Sequence, residues 1–517
     1  MSGSRNVPNG TEKEGITIRT SGILLPVSSI PSPRGIGNLG EEAFRFIDFL
    51  KDAGQTYWQI LPIGPTGFGD SPYQSFSAFA ASPYFIDPEQ LIRQGLLKRA
   101  EADEFRFGSD PEQVDYGALF ENRFRLLKLA VDRFPKSDTK LREFAETRKD
   151  WLEDYALFMA LKKENGMVSF QEWPEELRLR RPDALAKARA RLADEIHFWK
   201  VTQYLFFTQW SKLKEYAHRQ GISIIGDLPI YVSPESSDLW THSELFQVDK
   251  DRRPTRVAGC PPDAFTADGQ LWGNPLYRWE KHEATGYRWW IQRLAAAAEV
   301  YDVVRIDHFR GFAGYYSVPA GSRNAVHGAW KKGPGIGFVN AVKAQLPNLP
   351  IIAEDLGFLT DDVRSLLKQS GFPGMKVLQF AFDSREESDY LPHNYPRNCV
   401  VYTGTHDNTT TEDWAHTVSR ADAAYARRYL GVGPRGSLTD AVVRAAMASV
   451  ADTCIIPMQD WLRLGAEARI NIPGTVGGNW RWRLRPDQLT PELAAEMRES
   501  SKLYGRLPET ASLLKSK

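Results

Sequence analysis

Eight short apolar runs, most of them separated by helix-periodic stretches, constrain this chain more than any other feature. They are "SGILLPV" (21–27), "TYWQILPIG" (56–64), "SIIGDLPIYV" (223–232), "YDVVRID" (301–307), "LPIIAEDLG" (349–357), "MKVLQFAFD" (375–383), "NCVVYTGTHD" (398–407) and "TCIIPMQDWL" (453–462). Apolar runs this short suit strands buried on both faces. Strands alternating with helical segments such as "EEAFRFIDFLKDAG" (41–54) predict a parallel sheet. Eight such units predict an α/β fold closed as a (β/α)8 TIM barrel rather than an open sheet.

Two intervals are too long for plain crossovers. Residues 89–200 are charged and helix-rich and predict a helical insertion. Residues 233–283 lack helical period, are rich in Pro, Gly and Trp, and predict a loop-rich insertion at the mouth of the barrel. The expected organisation is therefore a polar tail over 1–20, a barrel formed by 21–88 and 201–517, and these two insertions. A terminal helix is expected from near Pro491.

Composition narrows the function classes. The 517 residues carry 65 basic and 65 acidic side chains, so no net charge points to nucleic acid or an acidic membrane. No stretch approaches the roughly 18 apolar residues of a membrane span, and the polar start lacks the apolar segment of a secretion signal. Three widely separated cysteines (Cys260, Cys399, Cys454) exclude a disulfide scaffold and fit a reducing cytoplasm.

Several strands end in polar or acidic residues: Asp227 in "GDLP", Asp307 in "RIDH", Glu354 and Asp355 in "AEDLG", His406 and Asp407 in "THDN". Any one alone is explained by a helix N-cap or a loop ion pair. Four strands ending this way point to the C-terminal face, where barrels of this kind carry their chemistry. Several carboxylates without thiols suit glycosidic bond cleavage, which needs one carboxylate as nucleophile or base and one carboxylic acid to protonate the leaving oxygen. Arg305 shares a strand face with Asp307, two residues away, and is expected to keep it ionised. Asp355 follows Glu354 directly and points the other way, to a structural role. A metal site built on His308 and His406 is the rival reading, although these residues are not spaced as a local metal motif.

"RIDHFRG", "AEDLG" and "GTHDN", in this order, resemble the strand-end motifs of the α-amylase superfamily. "SSIPSPRGIGNLG", "SPYQSFSAFA", "GDLPIYV", "GCPPDAFTADGQLWGNPLY", "FPGMKVLQFAF" and "EARINIPGTVGGNWRWR" resemble the amylomaltases, which are 4-α-glucanotransferases or disproportionating enzymes. The resemblance implies Asp307 as nucleophile, Glu354 as general acid/base and Asp407 as stabiliser of the transition state. It implies that Arg305 orients Asp307, and that Asp227, His308 and His406 contact the sugar at the cleavage point. It also implies a maltodextrin donor and a glucose or maltooligosaccharide acceptor; the two-carboxylate chemistry requires no cofactor, and a monomer or homodimer is expected. An α-glucan hydrolase of the same fold and a non-catalytic carbohydrate-binding protein remain as alternatives. One position departs from the family pattern: "HDNDT" reads "HDNTT", with Thr409 in place of Asp.

"GIGNLG" (35–40) matches a dinucleotide-binding pattern, yet seven residues separate it from Val27, and the second strand run carries no acid for a ribose. A mouth loop is the better reading. Sugar rings stack on aromatic faces, so loop residues Tyr73, Phe265, Trp272 and Tyr277 are candidates, each weighed against plain packing. Asn274, in the same stretch, completes the expected sugar-contacting set. Trp480 and Trp482 read as structural.

Overall fold

The computed structural model describes residues 19–262, 267–357 and 359–508. In chain order its strands are β1 (Thr20–Leu24), β2 (Tyr57–Gln59), β3 (Ser223–Leu228), β4 (Arg256–Cys260), β5 (Gln270–Pro275), β6 (Val303–Ile306), β7 (Gly314–Pro319), β8 (Ala329–Lys332), β9 (Ile351–Ala353), β10 (Gly374–Val377), β11 (Cys399–Tyr402) and β12 (Thr453–Pro457). Eight of them pair in parallel in the order β10-β11-β12-β1-β2-β3-β6-β9. The ring closes between β9 and β10. There the Ala353 N–H donates to Pro373 O at 2.9 Å and the Met375 N–H donates to Asp355 Oδ1 at 2.6 Å. Gly374 makes that seam possible, because a Cβ there would stand 2.7 Å from Asp355 Oδ2. The expected (β/α)8 barrel is the fold, and Asp355 is part of its closure.

The strand period of two divides the core. Leu24, Ile225, Ile352, Met375, Val377, Val400, Tyr402 and Ile455 fill the barrel interior. The outward positions pack on helices such as Glu41–Asp52, whose buried Ala43, Phe46, Ile47 and Leu50 recur at helical spacing. Full burial of each large apolar side chain stabilises by about 1.5–3 kcal/mol. The inward row therefore continues from Ile225 to Asp227 and from Val303 to Arg305, so the barrel floor is apolar and its C-terminal end is charged.

Between β2 and β3 the chain forms helices from Pro88–Arg93 to Pro182–Arg191, and then Ala193–Arg219. A boundary at residue 200 falls inside this last helix. Its Trp199 packs on Phe124 and Tyr155 of the insertion, whereas its Trp210 donates from Nε1 to Val300 O beside the barrel at 3.0 Å. One continuous helix thus ties the insertion to the barrel wall.

Residues 233–283 are more ordered than a loop-rich reading implies. They hold β4, β5 and the helices Ser237–Thr241 and Trp279–Ala284. β4 and β5 join β7 and β8 in an antiparallel sheet of order β5-β4-β7-β8. Half of this sheet comes from beyond β6, so no local alternation announces it. "GIGNLG" is a loop in which a Cβ on Gly37 would fall 1.9 Å from Val27 O, so that glycine serves close backbone packing.

Candidate active site

The charged end of β6 is organised by a cross-strand pair. The β3–β6 register sets Asp227 opposite Arg305, and Arg305 Nη1 donates to both Asp227 oxygens at 2.6 Å and to Asp307 Oδ1 at 3.1 Å. Arg305 Nε also meets Met375 Sδ at 3.3 Å. Burial opposes the guanidinium charge, but Asp227 and Asp307 outweigh it and hold Arg305 protonated.

Asp307 keeps 27% of its side chain exposed toward the mouth. Burial raises its pKa well above the usual carboxylate value; Arg305 opposes this, while the charges of Asp227, Glu354 and Asp407 add to it. Arg305 acts on Asp307 in the expected direction, but burial outweighs it. The shorter contacts of Nη1 go to Asp227, so much of the cation is already neutralised.

Glu354 stands one residue beyond the Ile306–Ala353 pair of the β6–β9 register, alongside Asp307. Its Oε2 accepts the His308 N–H at 2.6 Å and its Oε1 accepts the Leu356 N–H at 2.7 Å. Burial raises its pKa, and Arg305 and these two N–H donors oppose the rise. His308 reaches Glu354 from a left-handed backbone conformation (φ 51°), which costs a non-glycine residue about 1–2 kcal/mol. Burial, then Arg310, lowers its ring pKa to about 3, so the imidazole is neutral. That ring meets Trp272 edge-on, with centroids 4.7 Å apart.

A third cluster faces this pair. Tyr73 donates its hydroxyl hydrogen to Asp227 Oδ2 at 2.7 Å and lies 2.8 Å from His406 Nε2. With that hydrogen committed to a carboxylate, Nε2–H is the donor to the tyrosine oxygen. Tyr73 and His406 stack at 5.2 Å, and Trp480 tilts against both at 5.8 and 6.1 Å. Asp407 is the most open of the carboxylates, with 47% of its side chain exposed. Asn471 Nδ2 donates to its Oδ1 at 2.6 Å, and Arg469 Nη2 donates to its main-chain oxygen at 3.2 Å.

Eight expected residues thus converge: Asp307, Glu354, Asp407, Asp227, Arg305, His308, His406 and Tyr73. Trp272 borders them through His308. Asn274 is buried; its Oδ1 accepts from Gln74 at 3.0 Å and its Nδ2 donates to Val232 O at 2.9 Å, so its amide joins loops. Tyr277 is core, with its hydroxyl on Ile230 O at 2.8 Å. Phe265 lies outside the described residues. Asn471 and Arg469 were missed, although they stand in "EARINIPG". Their type carries no chemistry by itself; only the fold brings them to Asp407. Among the described residues no three His, Cys, Asp or Glu side chains are grouped to hold a metal ion, and no helix is long and apolar enough to cross a membrane.

A family model described as 4-alpha-glucanotransferase matches residues 25–490. A 4-alpha-glucanotransferase of Clostridium butyricum is 45% identical over 485 residues, covering 93% of this chain and 100% of that protein. One of Thermus thermophilus is 47% identical over 501 residues, covering 95% and 99%. The solved amylomaltase from Streptococcus agalactiae in complex with acarbose is 43% identical, superposes with a TM-score of 0.92, and covers 94% of this chain and 99% of that one.

Proposed function

The chain belongs to the 4-alpha-glucanotransferase family, and from that premise we propose how its strand-end carboxylates divide the work of moving an α-1,4-glucan segment from donor to acceptor. Asp307 is the nucleophile. Its oxygen attacks C1 of the donor sugar while Glu354 gives its proton to the glycosidic oxygen. The leaving segment departs and a covalent glucosyl-enzyme remains. An acceptor 4-hydroxyl then enters, Glu354 takes its proton, and the C1–Asp307 bond breaks. Asp407 stabilises the positive charge that develops on the ring in both steps.

The observation that carries this reading is the unequal setting of two adjacent carboxyls. Burial raises both, but Asp307 is hydrogen-bonded to a cation that favours its ionised form, whereas Glu354 accepts from two uncharged peptide N–H groups, so Glu354 is the member of the pair that keeps a proton to give. Asp227, Tyr73, His308 and His406 bind the sugar at the cleavage point, and Trp272 offers it an aromatic edge. Donor maltodextrins and acceptor glucose or short maltooligosaccharides fit this chemistry. The buried, unbridged Cys399 and Cys454 support a reducing compartment such as the cytoplasm.

Incubation with maltotriose alone tests the reading. Transfer yields glucose plus a ladder of longer maltodextrins. Products that are all shorter than maltotriose would make the chain a hydrolase.

A further inference from the structure

Asp460 lies three residues beyond β12, in the short helix Met458–Trp461, and is 2% exposed. No step above uses it. Its carboxylate nonetheless takes three donors. Oδ1 accepts the Thr411 N–H at 2.7 Å; Oδ2 accepts the Thr411 hydroxyl at 2.6 Å and the Thr403 hydroxyl as well. Thr403 and Thr411, both fully buried, bracket the loop that carries His406 and Asp407. Inside that loop, Asn408 Oδ1 accepts the Thr405 N–H at 2.9 Å and its hydroxyl at 3.0 Å, and Gln379 Nε2 donates to Thr409 O at 2.9 Å.

We propose that Asp460 is a positioning residue for Asp407: one buried carboxylate staples both ends of the 403–411 loop and so sets where Asp407 and His406 stand over the site. The inference rests on the role given to Asp407 above. Packing alone does not call for this arrangement, because an apolar cluster of similar volume avoids desolvating a carboxylate. What the carboxylate adds is direction: two strand ends, β11 and β12, are referred to one point through three oriented bonds. A displacement of about 1 Å in a catalytic group costs on the order of 100-fold in rate.

The test is a double-mutant cycle read on maltotriose disproportionation. Asp460→Asn is isosteric but puts an amide N–H among three donors. It should lower kcat by about 10- to 100-fold, the scale of such a displacement, while KM moves by no more than about 3-fold. In an Asp407→Asn background the same change should lower kcat by no more than about 2-fold, although it still lowers the melting temperature. Losses that multiply in the double variant would overturn the proposal, because Asp460 would then act independently of Asp407. Near-normal kcat in Asp407→Asn alone would instead remove the role assigned to Asp407. Should Asp460→Asn fold poorly, Thr411→Val and Thr411→Ser replace it. The valine variant should lose kcat and the serine variant should keep it, and equal kcat in the two would overturn the staple.

Discussion

Glu354 sets both carboxylate oxygens against peptide N–H groups, so an amide cannot replace it quietly: whichever way Gln turns, its NH2 faces a donor. Glu354→Ala is therefore the cleaner variant. With maltotriose it should lose about 100-fold or more, the usual worth of general acid catalysis. With an α-glucosyl fluoride, whose leaving group needs no proton, loading of the enzyme should fall much less and the intermediate should accumulate. Equal losses with both donors would take acid catalysis away from Glu354. Asp227 tests the neighbouring carboxyl. Its charge holds the Asp307 pKa up, and its oxygens occupy the Arg305 nitrogen that also reaches Asp307. Asp227→Asn removes the first effect and frees the cation, and both changes lower the Asp307 pKa. The acid limb of kcat/KM should then move to lower pH, whatever happens to the plateau. A limb that stays or moves upward would show that Asp227 does not set the charge balance at Asp307.

At the scale of elements, the antiparallel sheet brings an aromatic side chain to the site. β5 is an edge strand of that sheet, and it carries Trp272 to within 4.7 Å of the His308 ring. On the proposed reading, an indole there would screen the glucosyl-enzyme from water and offer a surface to the acceptor sugar. Trp272→Ala should therefore raise reducing ends gained relative to ladder products from maltotriose, by about 3-fold or more if one to two aromatic contacts of about 0.5–1.5 kcal/mol are lost. An unchanged ratio would assign Trp272 to packing alone. The contrast between the two sheets also explains what could be read in advance. Barrel strands are buried on both faces, so hydrophobicity alone exposes them, and their acidic ends stand out against apolar runs. β8 reads "AWKK" with all four residues exposed, and its partner β7 follows a different barrel strand from β4. No periodicity marks such an element. Asp460 escaped notice for a related reason. It belongs to the eighth apolar run but lies three residues past the strand, where a carboxylate reads as a helix residue until Thr403 and Thr411 are seen around it. Thr409, which departs from the family pattern, donates to Asp413 on the following helix, a local contact at the loop's outer side.

For the whole molecule, the site is a cost carried by the fold. Asp227, Asp307 and Glu354 gather around one buried guanidinium at the end of an otherwise apolar barrel, and burial raises Asp307 and Glu354 above ordinary carboxyls. Over the pH range from about 4, where an unfolded carboxyl loses its proton, up to the raised value, the folded chain holds protons that the unfolded chain has lost. Stability contributed by these groups therefore falls as pH rises through that window and is recovered below it. Asp307→Asn keeps an oxygen for Arg305 and removes one of the raised carboxyls. It should abolish transfer yet raise the melting temperature at pH 7, by on the order of 1–2 °C for roughly 1 kcal/mol in a chain of this size. The gain over the unsubstituted protein should shrink as pH approaches 4, because the native carboxyl is then protonated in both states. Thermal unfolding of the two proteins across pH 4–8 measures this. A variant less stable than its parent at pH 7, or a gain that does not depend on pH, would show that the Arg305–Asp307 contact stabilises the fold more than the crowding of carboxyls strains it.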